Sequence, residues 1–188
     1  NLAISISEEN FQIDTVQAMV LSQVDGAYLN MDLTNLDTIE LKLGALSASF
    51  DTVPQTISYT QAYAIHIDTT AYTLYFTSLP IITLAAPNGI VDEPKSAGLF
   101  TYVDQHQSYS SVMGIELRGG ISQSFPKKTY DIELWEDEFE QDSRDGQFGQ
   151  LREDDDWILD GIYNEPLRMR AYLSHKLWLE TNKPAYQE

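Results

Sequence analysis

Short runs of β-branched and aromatic residues, each bounded by turn formers, fill the first 78 positions and favour strands throughout. The runs cover residues 2–7, 16–24, 28–33, 38–50, 56–67 and 72–76, punctuated by Asp25-Gly26, Asn35, Asp51, Pro54 and Asp68. Alternation sorts some of them by face. Ile39, Leu41 and Leu43 share one side, and Tyr72, Leu74 and Phe76 share another. Strands of this length and spacing predict a β-sandwich or a meander. Residues 16–21 also satisfy helical spacing, so a helix there is an alternative. No internal repeat is present.

The remaining composition excludes several classes. With 43% hydrophobic residues in 188, the chain is too apolar to be intrinsically disordered. Its longest apolar run, residues 79–87, is interrupted by Pro80 and Thr83 and falls short of the roughly 20 residues a membrane helix needs. Membrane insertion is therefore not expected. The absence of cysteine removes disulfides, thiolate zinc sites and cysteine nucleophiles together. The formal net charge is -18, and residues 1–94 hold one base, Lys42, against 11 acids. Such a field repels nucleic acid and anionic lipid.

Ser78-Leu79-Pro80 reads as a junction, giving a β-rich module over residues 1–78 and a second part over 79–188. In the second part, residues 81–85, 98–103, 113–117 and 128–134 are expected strands. Residues 136–156 are an acidic loop, and 157–159 a brief apolar stretch. A helix is predicted to start near Asn164, a good N-cap, with Glu165 and Pro166 in its first turn. Met169, Leu173 and Leu177 recur at four-residue spacing, widened by Tyr172 and Trp178, and Asn182, Lys183 and Pro184 stop it. The fold class is α+β with strand dominating.

Candidate chemistry concentrates where base and glycine meet. Gly119 and Gly120, with Ser122 and Ser124, form a turn whose backbone N–H groups can approach a phosphate, although two adjacent glycines also make an ordinary hairpin turn. Strand period puts Lys128 on the side of Tyr130, Ile132 and Leu134, and Lys127 outside with Thr129, Asp131 and Glu133. Lys128 is therefore preferred as the phosphate ligand, with snorkelling to water as the alternative. Arg118, Arg168 and Arg170 are further cationic candidates. Arg170 can clamp a phosphate or tie to residues 154–156. Glu180 can meet a sheet lysine or stay exposed. The acidic runs 136–145 and 153–156 offer oxygen ligands for calcium, but their spacing is not that of a calcium loop. His66, His106 and His175 are far apart and receive no role. A serine hydrolase is disfavoured because no G-x-S-x-G motif occurs. Tyr59, Tyr63 and Tyr72 can stack on sugars or pack within strands.

Several of these segments together resemble the CotH family, the spore-coat-protein-H kinase-like proteins. The matching pieces are L-P-I-I-T-L from Leu79, I-V-D-E-P-K from Ile90, G-I-E-L-R-G-G-I-S-Q-S-F-P-K-K-T-Y from Gly114, L-R-E-D-D-D-W-I-L from Leu151 and Y-N-E-P-L-R-M-R-A-Y-L from Tyr163. They cover residues from about 79 to 188. The resemblance implies the antiparallel-sheet-plus-helix N-terminal half of an atypical kinase-like domain. It implies transfer of phosphate from ATP, with Mg2+, to Ser or Thr of a protein substrate. The implied phosphate-facing residues are Arg118, Gly119, Gly120, Ser122, Lys127, Lys128 and Arg170. It further implies that the metal-binding aspartates follow Glu188, so that this chain alone does not turn over substrate. A secreted or cell-surface bacterial protein, its signal peptide removed, is the implied setting. A non-catalytic surface binding or adhesion module, with a glycan as ligand, is the competing expectation.

Overall fold

The run from Ile39 to Leu43 buries Ile39, Leu41 and Leu43 and exposes Glu40 and Lys42, the two-residue period of a half-buried strand. The computed structural model describes residues 2–15, 17–24, 26–137, 142–149 and 151–181. The first sheet has seven strands. They are β1 (Leu2–Ile6), β2 (Phe11–Asp14), β3 (Met19–Gln23), β4 (Ile39–Leu43), β5 (Leu46–Phe50), β6 (Ala62–Ile67) and β7 (Thr70–Thr77), in the order β1-β4-β5-β6-β7-β3-β2. From β4 to β7 the chain runs as an antiparallel meander. At either side the pairing turns parallel, with Leu2 opposite Ile39 and Met19 opposite Thr73.

Four expectations for this region need correction. Residues 19–23 form a strand, so the helical alternative for 16–21 does not hold. Residues 28–33 are not a strand, because a 3-10 turn (Gly26–Tyr28) and Asn30 at φ 57° bend the chain there. The run 38–50 is two strands, split at Gly44. That glycine has φ 59°, and a Cβ on it would lie 2.3 Å from Glu8 Cγ. Residues 56–61 are loop, tied down by Tyr63, whose hydroxyl donates to Thr56 O (3.0 Å) and accepts from Ser58 N–H (2.8 Å). The turn at Asp25 and the helix stop at 182–184 lie outside the described residues.

Two compact units divide the chain. The first comprises residues 1–85, 99–111 and 147–153. Its core gathers Ile4, Val20, Leu41, Leu43, Ile57, Ile65 and Leu74, all fully buried. Tyr63 joins it edge-on to Phe50 and tilted against Phe76. A second aromatic group forms around Phe148, whose ring lies 5.1 Å from Phe100, 5.0 Å from Tyr102 and 5.4 Å from Tyr109. The acidic stretch 136–156 is thus more than a solvated loop, since Phe148 is buried.

Beside Phe148, the Tyr102 hydroxyl donates to Asp104 Oδ2 at 2.7 Å. Burial, then the bond and charge of Asp104, push its pKa up to about 12, against 10.0 unperturbed. The folded state therefore keeps this proton to higher pH than the unfolded chain does. The resulting stability is fully present below pH 10 and is lost as pH rises toward about 12. Urea unfolding of Tyr102→Phe against the parent should show a stability difference of about 1 kcal/mol that is constant at neutral pH and falls above pH 10. A difference independent of pH up to 12 would show that Tyr102 titrates alike in both states.

The second sheet has the order β12-β11-β10-β9-β8, from β8 (Ile81–Ala85), β9 (Ser96–Val103), β10 (Ser108–Leu117), β11 (Tyr130–Trp135) and β12 (Asp156–Leu159). The second unit comprises residues 86–98, 112–146 and 154–188. In it β10, β11 and β12 pair antiparallel, with Ile115 opposite Ile132 and Ile132 opposite Trp157. Met113, Ile115, Ile132 and Leu134 are buried completely. On the opposite side, Gly114 makes room for the Trp135 ring, which a Cβ would meet at 2.1 Å.

The helix α1 (Arg170–Glu180) starts later than predicted. Asn164 is not its cap. Arg168 adopts φ 51°, which ends any helical path from 164, and the Glu165 carboxylate accepts the Arg170 N–H instead. Its apolar stripe, including Tyr172, Leu173 and Leu177, is exposed. Among the described residues, no helix is long and apolar enough to cross a membrane. The described chain is strand-dominated α+β.

Candidate functional site

Between β10 and β11, in the second unit, residues 118–129 form a closed bend. Arg118 N–H donates to Thr129 O at 2.9 Å, which closes its base. Gly119 has φ 95°, where a side chain is strained, and a Cβ there would lie 2.1 Å from Ser122 Oγ. Gly120 faces open space, with nothing within 4 Å of an added Cβ. Residues Ile121–Ser124 then make one 3-10 turn, in which the Gln123 N–H donates to Gly120 O at 3.1 Å. Ser122 Oγ donates to Arg118 O (3.2 Å), and Ser124 Oγ to Ile121 O (2.7 Å).

Lys128 folds back into this bend. Its Nζ donates to Gln123 O at 2.6 Å, and among the described residues it has no carboxylate partner. The strand expected from residue 128 begins at Tyr130, so Lys128 belongs to the bend and not to the sheet's inner face. Lys127 is exposed. A second segment pins this pair from outside. A Cβ on Gly161 would meet Lys128 O at 2.5 Å and Lys127 O at 3.0 Å. Gly161 N–H donates to Thr129 Oγ1 (3.1 Å), and Ile162 N–H to Asp160 Oδ1 (2.9 Å). Phe125 and Tyr163 stack beside them at 5.2 Å.

The other arginines stand elsewhere. Arg118 places its backbone in the bend, but its Nη1 donates to Asp131 Oδ2 at 2.8 Å. Arg170 opens α1, exposed, and makes no ion pair among the described residues, so the tie to 154–156 is not formed. Arg168 and Glu180 are also exposed, and neither makes an ion pair among the described residues. The bend thus unites Gly119, Gly120, Ser122, Ser124 and Lys128 with the Arg118 backbone, and not Arg170.

One important residue escaped the sequence reading. Lys95 Nζ lies 3.2 Å from Asp131 Oδ1 and 3.1 Å from Glu133 Oε2. Burial would lower its pKa, but the hydrogen bonds of Glu133 and Asp131 outweigh that and hold the ammonium above its ordinary value. Cross-strand register places Glu116 opposite Asp131, and Glu133 opposite Asp156. Burial, with the repulsion of Asp131 and other nearby acids, raises Glu116, and burial with Asp155 raises Asp156. Carboxylate oxygens of Glu133, Asp155 and Asp156 approach within 4.8 Å of one another, but Glu133 already serves Lys95. A signal was available, since acids two apart on one strand face demand a counterion. Of the three candidate sugar-stacking tyrosines, Tyr63 is buried, Tyr72 packs partly buried against the core and Tyr59 is exposed. His66, assigned no role, bonds Asp51 through Nδ1 at 2.6 Å.

Residues 115–187 match the family described as CotH kinase protein. The C-terminal part of this chain is CotH-like. The match opens inside β10 and takes in the bend, Lys128, β11, β12, Gly161 and α1 of the CotH-like part. No curated protein and no solved structure matches the chain.

Proposed function

We propose that the CotH-like part binds the phosphate tail of ATP at the bend of residues 118–128. This binding serves transfer of phosphate to Ser or Thr of a protein substrate. The observation that carries the reading is Lys128. A half-buried ammonium is held 2.6 Å from Gln123 O inside a glycine bend, without, among the described residues, the carboxylate that a purely structural lysine would use. Gly120, open to its surroundings, lets a polyanion approach the backbone.

The residues present suit a polyphosphate, which Lys128 would bind and orient while Gly119 and Gly120 present N–H groups. Magnesium, when bound, would neutralise phosphate charge, and no residue of this chain is assigned to it. A secreted or surface location fits an acidic chain free of cysteine, and is proposed with the rest.

Isothermal titration of the chain with ATP and Mg2+ tests the site. Lys128→Ala should weaken binding by roughly ten-fold or more, as loss of a charge-assisted contact implies. Equal affinity for both proteins removes Lys128 from the site and the reading with it.

A further inference from the structure

Asp131 holds two cations at once, one on each oxygen. Lys95 Nζ lies 3.2 Å from Oδ1, and Arg118 Nη1 lies 2.8 Å from Oδ2. The two cations are not equivalent. The Lys95 side chain is 21% exposed and also serves Glu133, whereas the Arg118 side chain is 47% exposed and has Asp131 as its one ion-pair partner among the described residues. Arg118 can therefore leave at small cost, since exposed pairs contribute little, while Lys95 stays and keeps Asp131 from being stranded. Its backbone need not move, because the Arg118 N–H and C=O are already fixed in the bend by Thr129 O and Ser122 Oγ. Only the side chain has to swing. A guanidinium released there can offer its planar fork to phosphate oxygens.

We propose that Arg118 is a latch for polyphosphate. Asp131 holds it in the free protein, a phosphate tail at the bend draws it away, and Lys95 is the positioning residue that neutralises Asp131 afterwards. The latch rests on the nucleotide-phosphate reading above and deepens it. Asp131 then competes with the ligand for one cation, so it tunes affinity without touching phosphate.

The test is isothermal titration of the whole chain with ATP and Mg2+, and separately with inorganic tripolyphosphate. Asp131→Asn should bind roughly five-fold tighter, the gain from abolishing a competing pair. Glu133→Gln removes one charge from the same sheet face without touching Arg118, and should stay within about two-fold of the parent. Arg118→Gln should bind more weakly, and in that background Asp131→Asn should change nothing. Equal tightening by Asp131→Asn and Glu133→Gln, or a gain that survives in Arg118→Gln, would reduce the latch to a general field effect and overturn it.

A readout in the unaltered protein covers the case in which a variant misfolds. The Arg118 Nε–H resonance, assigned by its loss in Arg118→Gln, should shift on addition of tripolyphosphate, and an unmoved resonance at saturation overturns the latch. Lys128→Ala separates the two claims. If it loses binding while the Arg118 cycle is flat, the latch alone fails. If the parent chain binds neither probe, both fail.

Discussion

Lys95→Met is expected to cost about 2–4 kcal/mol at neutral pH, somewhat below the range for breaking a fully buried pair because Lys95 retains some solvent contact. Among the described residues, the substitution leaves Asp131 with Arg118 alone and Glu133 with no cation, beside Glu116 and Asp156, which already sit above their ordinary values. Lys95 is itself held above the unperturbed 10.5, so its contribution is fully present below that pH and is lost as pH rises past it. Urea unfolding at pH 7 and at about pH 12 measures both ends of that window. A deficit of the same size at both pH values would assign the effect to packing of the lysine stem, and not to its charge.

That the sequence alone does not reveal this network follows from where the information lies. Alternation is local, and it reads correctly at Ile39, Leu41 and Leu43 and at Leu74 and Phe76 because each face can be followed within one strand. The parallel pairing of β1 with β4 and of β3 with β7 joins segments far apart in sequence, and no local pattern encodes it. The turn at Gly44 leaves little trace in the sequence, because a two-residue turn barely interrupts an alternating run. The glycines of the bend were legible by type, since few residues besides glycine tolerate φ 95°. The position of Lys128 is not, because the two-residue period continues unbroken through residues 128–129, ahead of the start of β11 at Tyr130. Lys95 ends the I-V-D-E-P-K segment, yet its partners emerge only when the registers of β10, β11 and β12 bring four carboxylates to one face. At Asn164 a favourable cap sequence lost to Arg168, whose backbone breaks the helix that the cap would have begun.

Gly161→Ala should be strongly damaging, at about 3 kcal/mol, the upper end for overpacking. The added Cβ would lie 2.5 Å from Lys128 O and 3.0 Å from Lys127 O, and a carbonyl cannot rotate aside as a side chain can. Relief requires that residues 127–128 and 160–162 separate. Separation breaks the Gly161 N–H bond to Thr129 Oγ1 and draws the Lys128 ammonium off Gln123 O. Stability and ATP affinity should therefore fall together. Gly120→Ala is the matched control, because its φ is -93° and an added Cβ meets nothing within 4 Å. It should melt close to the parent and lose affinity only so far as the methyl obstructs phosphate. Thermal melting and ATP titration of the two variants, side by side, separate strain from obstruction. Gly161→Ala with parental melting and parental affinity would mean that the contact with residues 127–128 does not persist in solution. Lys128 would then owe its position to the bend alone.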